Sequence, residues 1–116
     1  MNYLHAIELI DVSEVKRFSG KKLASLLTPY ERDYCRLNKR RQDEHVAARL
    51  AAKKAFAKLI PLANWQELEI QKDENGKPVV LLSGKAKEAF KKKKLKTICL
   101  SLSHTQEEAI ASLFCF

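Results

Sequence analysis

Apolar positions recur along this chain with two different periods, and the changes of period mark out its elements. Residues Leu4 to Val12 are mostly apolar, interrupted by Glu8 and Asp11, which predicts a partly buried strand with Asp11 at its exit. Ser13 to Phe18 predicts a short helix capped by Ser13, with Lys16, Arg17, Lys21 and Lys22 making its outer surface basic. Thr28-Pro29-Tyr30-Glu31 opens another helix: Thr28 is the cap, Pro29 the first helical residue, and Glu31 can bond back to the cap amide. From His45 to Ile60, the residues Ala48, Ala52, Ala55, Phe56 and Leu59 gather into one apolar stripe on a helix that Pro61 ends. The pattern leaves open whether Glu31 to Ile60 is one helix or two broken near Asn38.

Alternation then returns. Leu68 and Ile70 face one side and Glu67, Glu69 and Gln71 the other, as in a half-buried strand. The following Asn75-Gly76 pair predicts a hairpin turn with positive φ angles, after which Val79 to Leu82 returns antiparallel. Ser83 to Lys94 reads as a short helix with a basic end. Thr97 to Ser103 and Ala109 to Phe116 read as strands around the turn His104-Thr105-Gln106-Glu107. The expected class is α+β: a long helical region against a small antiparallel sheet, with residues 1–116 as one domain and no internal repeat.

Charge narrows the partners. Twenty-two Lys and Arg oppose 14 Asp and Glu, a net charge of +8 over 116 residues, so the expected partner is anionic. Cys35, Cys99 and Cys115 are widely spaced and include no C-x-x-C pair, which argues against a disulfide framework or a zinc site. No apolar run approaches the roughly 20 residues needed to span a bilayer, and no signal-peptide pattern is seen. A cytoplasmic protein without a membrane partner is expected.

The densest chemistry lies between Arg49 and Lys58. On a helix Arg49 and Lys53 share a face, and Lys54 and Lys58 form a second pair roughly 100° around the axis. Long cationic chains often lie along apolar surface with their heads in water, but crowding along an alanine-rich stripe favours a phosphate-bearing ligand. His104, in Ser101-Leu102-Ser103-His104, sits at the mouth of a hairpin where amides and hydroxyls are available to an anion. Taken singly, such a histidine is more often structural, and Asp11 more often a cap or turn residue than a metal ligand.

Taken in order, these segments resemble the small bacterial holo-acyl-carrier-protein synthases, the 4'-phosphopantetheinyl transferases. The resemblance runs through Asp11-Val12-Ser13-Glu14-Val15-Lys16-Arg17-Phe18, Leu27-Thr28-Pro29-Tyr30-Glu31 and Ala48-Arg49-Leu50-Ala51-Ala52-Lys53. It continues through the hairpin Lys72 to Pro78 and Ser101-Leu102-Ser103-His104 with Ala109 and Ala111. It implies the phosphopantetheinyl transferase fold, a homotrimer with active sites at subunit interfaces, and transfer of 4'-phosphopantetheine from coenzyme A to a serine of an acidic acyl carrier protein, releasing 3',5'-ADP. It implies magnesium as cofactor and a place in fatty acid biosynthesis. By the same likeness Asp11 matches the first metal carboxylate, and Arg49, Lys53, Lys58, Ser103 and His104 match the coenzyme A site. Asp11, Lys53 and Lys54 are the catalytic candidates, while Arg17, Lys21 and Lys22 face the carrier protein.

One position breaks the pattern. Where the family carries glutamate as its second metal carboxylate, this chain has Lys54. An ammonium group cannot ligate magnesium, which demands oxygen donors. Three accounts follow: Lys54 replaces the ion, Glu8 or Glu14 completes a shifted metal site, or the chain binds coenzyme A or a carrier protein without turnover. A third function class, nucleic-acid binding through Lys39-Arg40-Arg41 and Lys91 to Lys94, lacks an aromatic β-platform and a recognition helix.

Overall fold

The computed structural model describes residues 3–116. Strand β1 (Leu4–Asp11) is followed by the short helix α1 (Val12–Val15), then α2 (Gly20–Leu26), α3 (Pro29–Leu37) and the long α4 (Gln42–Leu59). Strands β2 (Leu68–Lys72) and β3 (Pro78–Leu82), helix α5 (Gly84–Lys92), and strands β4 (Ile98–His104) and β5 (Glu108–Cys115) complete the order.

The class is α+β as expected, but the strands form two sheets. One has three strands in the order β1-β5-β4, the other pairs β2 with β3, and every pairing is antiparallel. β3 lies beside β4 without joining its ladder. On β5 the residues Ala109, Ala111, Leu113 and Cys115 are fully buried against α4, which is the period-two face expected of a central strand.

Helix α4 is enclosed well beyond one stripe. Ala47, Ala51, Ala52, Ala55 and Phe56 have no exposed surface, and Arg49 and Lys53 are buried with them. The many alanines let the helix approach the sheet closely, because interaxial distance follows the side chains at the contact.

Local chemistry accounts for the remaining differences. Residues Glu31 to Ile60 are two helices: α3 stops at Leu37, Asn38 leaves helical geometry, and a 3-10 turn at Lys39–Arg41 leads into α4. Thr28 and Glu31 make the expected reciprocal cap, with Glu31 N–H donating to Thr28 Oγ1 at 3.3 Å and Thr28 N–H to Glu31 Oε1 at 2.9 Å. The first helix spans Val12–Val15, so Asp11 rather than Ser13 is its cap, and the Asp11 side chain accepts no hydrogen bond from it. Lys21 and Lys22 lie on α2, a separate helix capped by Ser19. In the β2–β3 loop only Gly76 has positive φ, 78°. Asp73 does the rest, its Oδ1 accepting from the amides of Asn75 at 2.8 Å and Lys77 at 2.9 Å.

Candidate active site

Asp11 ends β1 opposite Glu108, and its side chain is exposed. The next residue ties this strand exit to the β4–β5 turn, Val12 N–H donating to Glu107 O at 2.8 Å. Here the chain forms a cleft of about 470 Å³ lined by Val12, Lys16, Lys39, Arg40, Arg41, Gln42, Asp43, Glu44 and Gln106. Its cations come from the link after α1 and from the 3-10 turn before α4. The Lys39-Arg40-Arg41 cluster, considered in the sequence as a nucleic-acid contact, therefore lines a concavity next to the strand exit at Val12.

His104 closes β4 behind this cleft. Its Nδ1 lies 2.8 Å from Glu44 Oε1, and both side chains are largely buried. The ring of His45 meets His104 edge-on at 4.9 Å, and Tyr34 meets His45 edge-on at 5.4 Å. The Arg49 guanidinium lies 4.3 Å over the Tyr34 ring, a cation–π contact. Burial, reinforced by the neighbouring Arg49 charge, pushes His45 from 6.5 down to about 4, so it is neutral at pH 7. Burial and then Arg49 also lower Lys72.

Arg49 is 1% exposed. Its Nη1 donates to His45 O at 3.1 Å, while Nε and Nη2 are buried and meet no protein acceptor. Buried guanidinium donors without acceptors are costly, roughly 1–3 kcal/mol or more, and they favour an anion or an acceptor from another chain.

Lys53 lies inside the fold. It was expected to face coenzyme A and take part in catalysis, yet its ammonium is fully enclosed and fully engaged. It donates to Glu31 Oε1 at 2.6 Å, Leu26 O at 2.8 Å and Trp65 O at 3.0 Å. Its three donors are all used within the fold. Burial lowers its pKa, and Glu31, the largest opposing influence, holds it up.

The expected open wall of Arg49, Lys53, Lys58 and His104 is thus not assembled within one chain. Arg49 and Lys53 are interior, whereas Lys58 is exposed and pairs with Glu8 on β1, also reaching Ile7 O at 3.3 Å. Ser103 is exposed near the end of β4, and Arg17, Lys21 and Lys22 are all exposed.

The metal site fares no better. Among the described residues no group of three His, Cys, Asp or Glu is gathered to hold an ion. Glu8 is committed to Lys58. Glu14 shares a small cavity of about 150 Å³ with Lys22 and Lys54, so cations, not oxygen donors, surround it. One carboxylate and an ammonium group do not make a magnesium site.

Sequence reasoning missed Glu44 and the Tyr34–His45–His104 stack. Their only trace in the sequence is a helix-start carboxylate beside a histidine, which does not reveal a partner 60 residues away.

No family model matches the chain. Curated relatives do: it is 40% identical over 122 residues to a holo-(acyl-carrier-protein) synthase of Geotalea daltonii, covering 97% of each chain. It is 40% identical over 114 residues to one of Chloroherpeton thalassium, covering 90% of each. Among solved structures, a holo-(acyl-carrier-protein) synthase from Bacillus anthracis in complex with CoA (3',5'-ADP) superposes with a TM-score of 0.78 at 26% identity, covering 96% of this chain and 93% of that one. The holo-ACP-synthase of Plasmodium yoelii reaches a TM-score of 0.82 at 23% identity, with 99% and 97% covered.

Proposed function

The chain belongs to the holo-(acyl-carrier-protein) synthase family, and on that premise we propose that it transfers 4'-phosphopantetheine from coenzyme A to a serine of an apo-acyl carrier protein. The observation that carries this reading is the 40% identity to a curated relative over 97% of both chains. All of residues 1–116 would act as one transferase domain. The serine oxygen forms a bond to the β-phosphorus of coenzyme A while the oxygen bridging the two phosphates departs with 3',5'-ADP, and the serine proton is lost. Catalysis of such a displacement is mainly positioning and charge stabilisation.

The residues support a division of labour. The cleft cations Lys16, Lys39, Arg40 and Arg41 suit a phosphorylated donor. Arg49 brings donors in need of an acceptor, His104 is held by Glu44, and Ser103 is exposed beside it. Asp11 offers a free carboxylate, and Lys58 is the exposed lysine of α4 on the β1 side. Exposed Arg17, Lys21 and Lys22 suit an acidic carrier, which complementary charge would steer. Lys53 serves the scaffold.

A homotrimer would join these parts. The outer face of the three-stranded sheet carries exposed apolar side chains among polar ones, with Ile7 50%, Leu9 51%, Ile110 39% and Phe114 39% exposed. A face of this kind suits a subunit interface, and a neighbouring chain could bring its Asp11 or Lys58 to the His104 side. Magnesium is the family's cofactor by resemblance, but the donor set here does not suit it, and the exposed Lys54 would supply positive charge instead. Among the described residues no helix is long and apolar enough to cross a membrane; a cytoplasmic place in fatty acid biosynthesis belongs to the same proposal.

Incubation with apo-carrier protein and coenzyme A should add one phosphopantetheine mass to the carrier. The absence of any mass shift, with or without magnesium, would eliminate the transferase reading. Lys54 favours one alternative, a relative that binds coenzyme A or carrier without turnover. That alternative predicts ligand-dependent thermal stabilisation with no product.

A further inference from the structure

The basic end of α5 has no role in the reading above. Between Lys85 and Lys96 every ionisable side chain except Glu88 is a lysine, and all of these lysines are exposed. None forms an ion pair with another described residue. The helix closes in a Schellman pattern: Leu95 N–H donates to Phe90 O at 3.3 Å, Lys94 N–H donates to Lys91 O at 2.9 Å, and Leu95 and Phe90 are both buried. The residue that takes the left-handed conformation is Lys94, with φ 60°, where glycine would be unstrained. A cation is kept at a position that backbone chemistry reserves for glycine, and it extends the unbroken run Lys91–Lys94.

Alongside lies an open groove of about 630 Å³, whose lining includes Val79, Leu81 and Phe90 together with Lys87, Lys91 and Lys96. Val79 is 39% and Leu81 46% exposed. Aliphatic surface and unpaired ammonium groups thus share one face.

We infer that this face is a peripheral docking surface for an anionic phospholipid bilayer. Lys91 and Lys92 close the helix and point about 100° apart, and Lys93 and the left-handed Lys94 follow in the terminal turn, so a rigid acidic partner making close contacts meets only part of the run. A helix is about 10 Å across and the screening length at physiological salt is about 8 Å, so the field of an anionic plane reaches all of it. Val79 and Leu81 meet the boundary between headgroups and acyl chains. Nucleic acid fits less well: from Pro78 to Ile98 the sole aromatic is Phe90, only 7% exposed, so no ring is offered for base stacking. A membrane partner is not expected from the sequence because no apolar run approaches the length needed to span a bilayer, whereas a surface contact needs none.

Co-sedimentation of the full chain with vesicles tests this. Vesicles of equimolar phosphatidylcholine and phosphatidylglycerol should bind it, vesicles of phosphatidylcholine alone should not, and salt should weaken the binding. Each lysine contributes about fivefold in partitioning, so changing Lys91, Lys92, Lys93 and Lys94 all to Gln should lower it on the order of several hundredfold. Removing equal charge elsewhere, by changing Lys16, Arg17, Lys21 and Lys22 to Gln, should leave most of the binding intact. Leu81→Ser should weaken binding even at a salt concentration where the lysines are screened. Equal loss in the two charge-removing variants, no preference for anionic vesicles, or loss of random-oligonucleotide binding with vesicle binding unchanged in the Lys91–Lys94 variant would each overturn the inference.

Discussion

Lys53 Nζ lies 2.6 Å from Glu31 Oε1 with both side chains closed to solvent, joining α4 to the N-terminal turn of α3. Glu31 also accepts the Ile70 amide at 2.9 Å, so one carboxylate ties α3, α4 and β2 together.

Removing one partner leaves the other as an uncompensated buried charge. Lys53→Met should therefore cost about 3–5 kcal/mol of stability, read as a lower urea midpoint with little change in slope. Loss of transferase activity at unchanged stability would instead return Lys53 to the catalytic set.

Glu44 orients the His104 ring. Glu44→Ala should raise the KM for coenzyme A about 10- to 100-fold, the scale of one charge-assisted hydrogen bond, whereas Glu44→Gln, which keeps an acceptor, should retain most of the affinity. Equal KM values in the two variants would refute an orienting role.

Position 54 decides metal dependence. The unaltered chain should keep its transfer rate within about tenfold when EDTA is added, the Lys54 ammonium supplying the charge an ion would otherwise bring. Lys54→Glu should gain magnesium binding by calorimetry and become chelator-sensitive. A variant that binds no magnesium would mean that the neighbouring groups do not support the ion either.

His45 carries the pH dependence of folding. Its folded pKa of about 4 lies below the ordinary 6.5, so between these values the unfolded chain binds more protons and stability falls as pH falls. With solvent screening the loss should be on the order of 1 kcal/mol. It should be absent from His45→Gln when urea midpoints are compared at pH 7 and pH 4.5.

Most elements were legible because their signals are local. The Thr28–Glu31 cap, the alternation around Leu68 and Ile70, and the Pro61 stop each act within a few residues. What escaped depended on distance. The burial of Lys53 follows from Glu31, 22 positions earlier, and the Glu44–His104 contact spans 60 positions, so neither has a short-range trace. The first helices differ from the expectation because Ser13 lies inside α1, whose cap is Asp11, while Lys21 and Lys22 belong to a second helix that Ser19 caps. A phosphate-seeking reading of Arg49 to Lys58 was drawn to all four cations alike, although the helix turns two inward and two outward.

The alanines at 47, 51, 52 and 55 have no surface left, and that absence of bulk governs where the reactive groups sit. A methyl added at any of them would overpack α4 against the elements around it and so shift Lys54 and Lys58 relative to the strand that bears Asp11. The spacing of this protein's charged groups therefore depends on its smallest side chains, and growth in their size would alter it with no charged residue replaced.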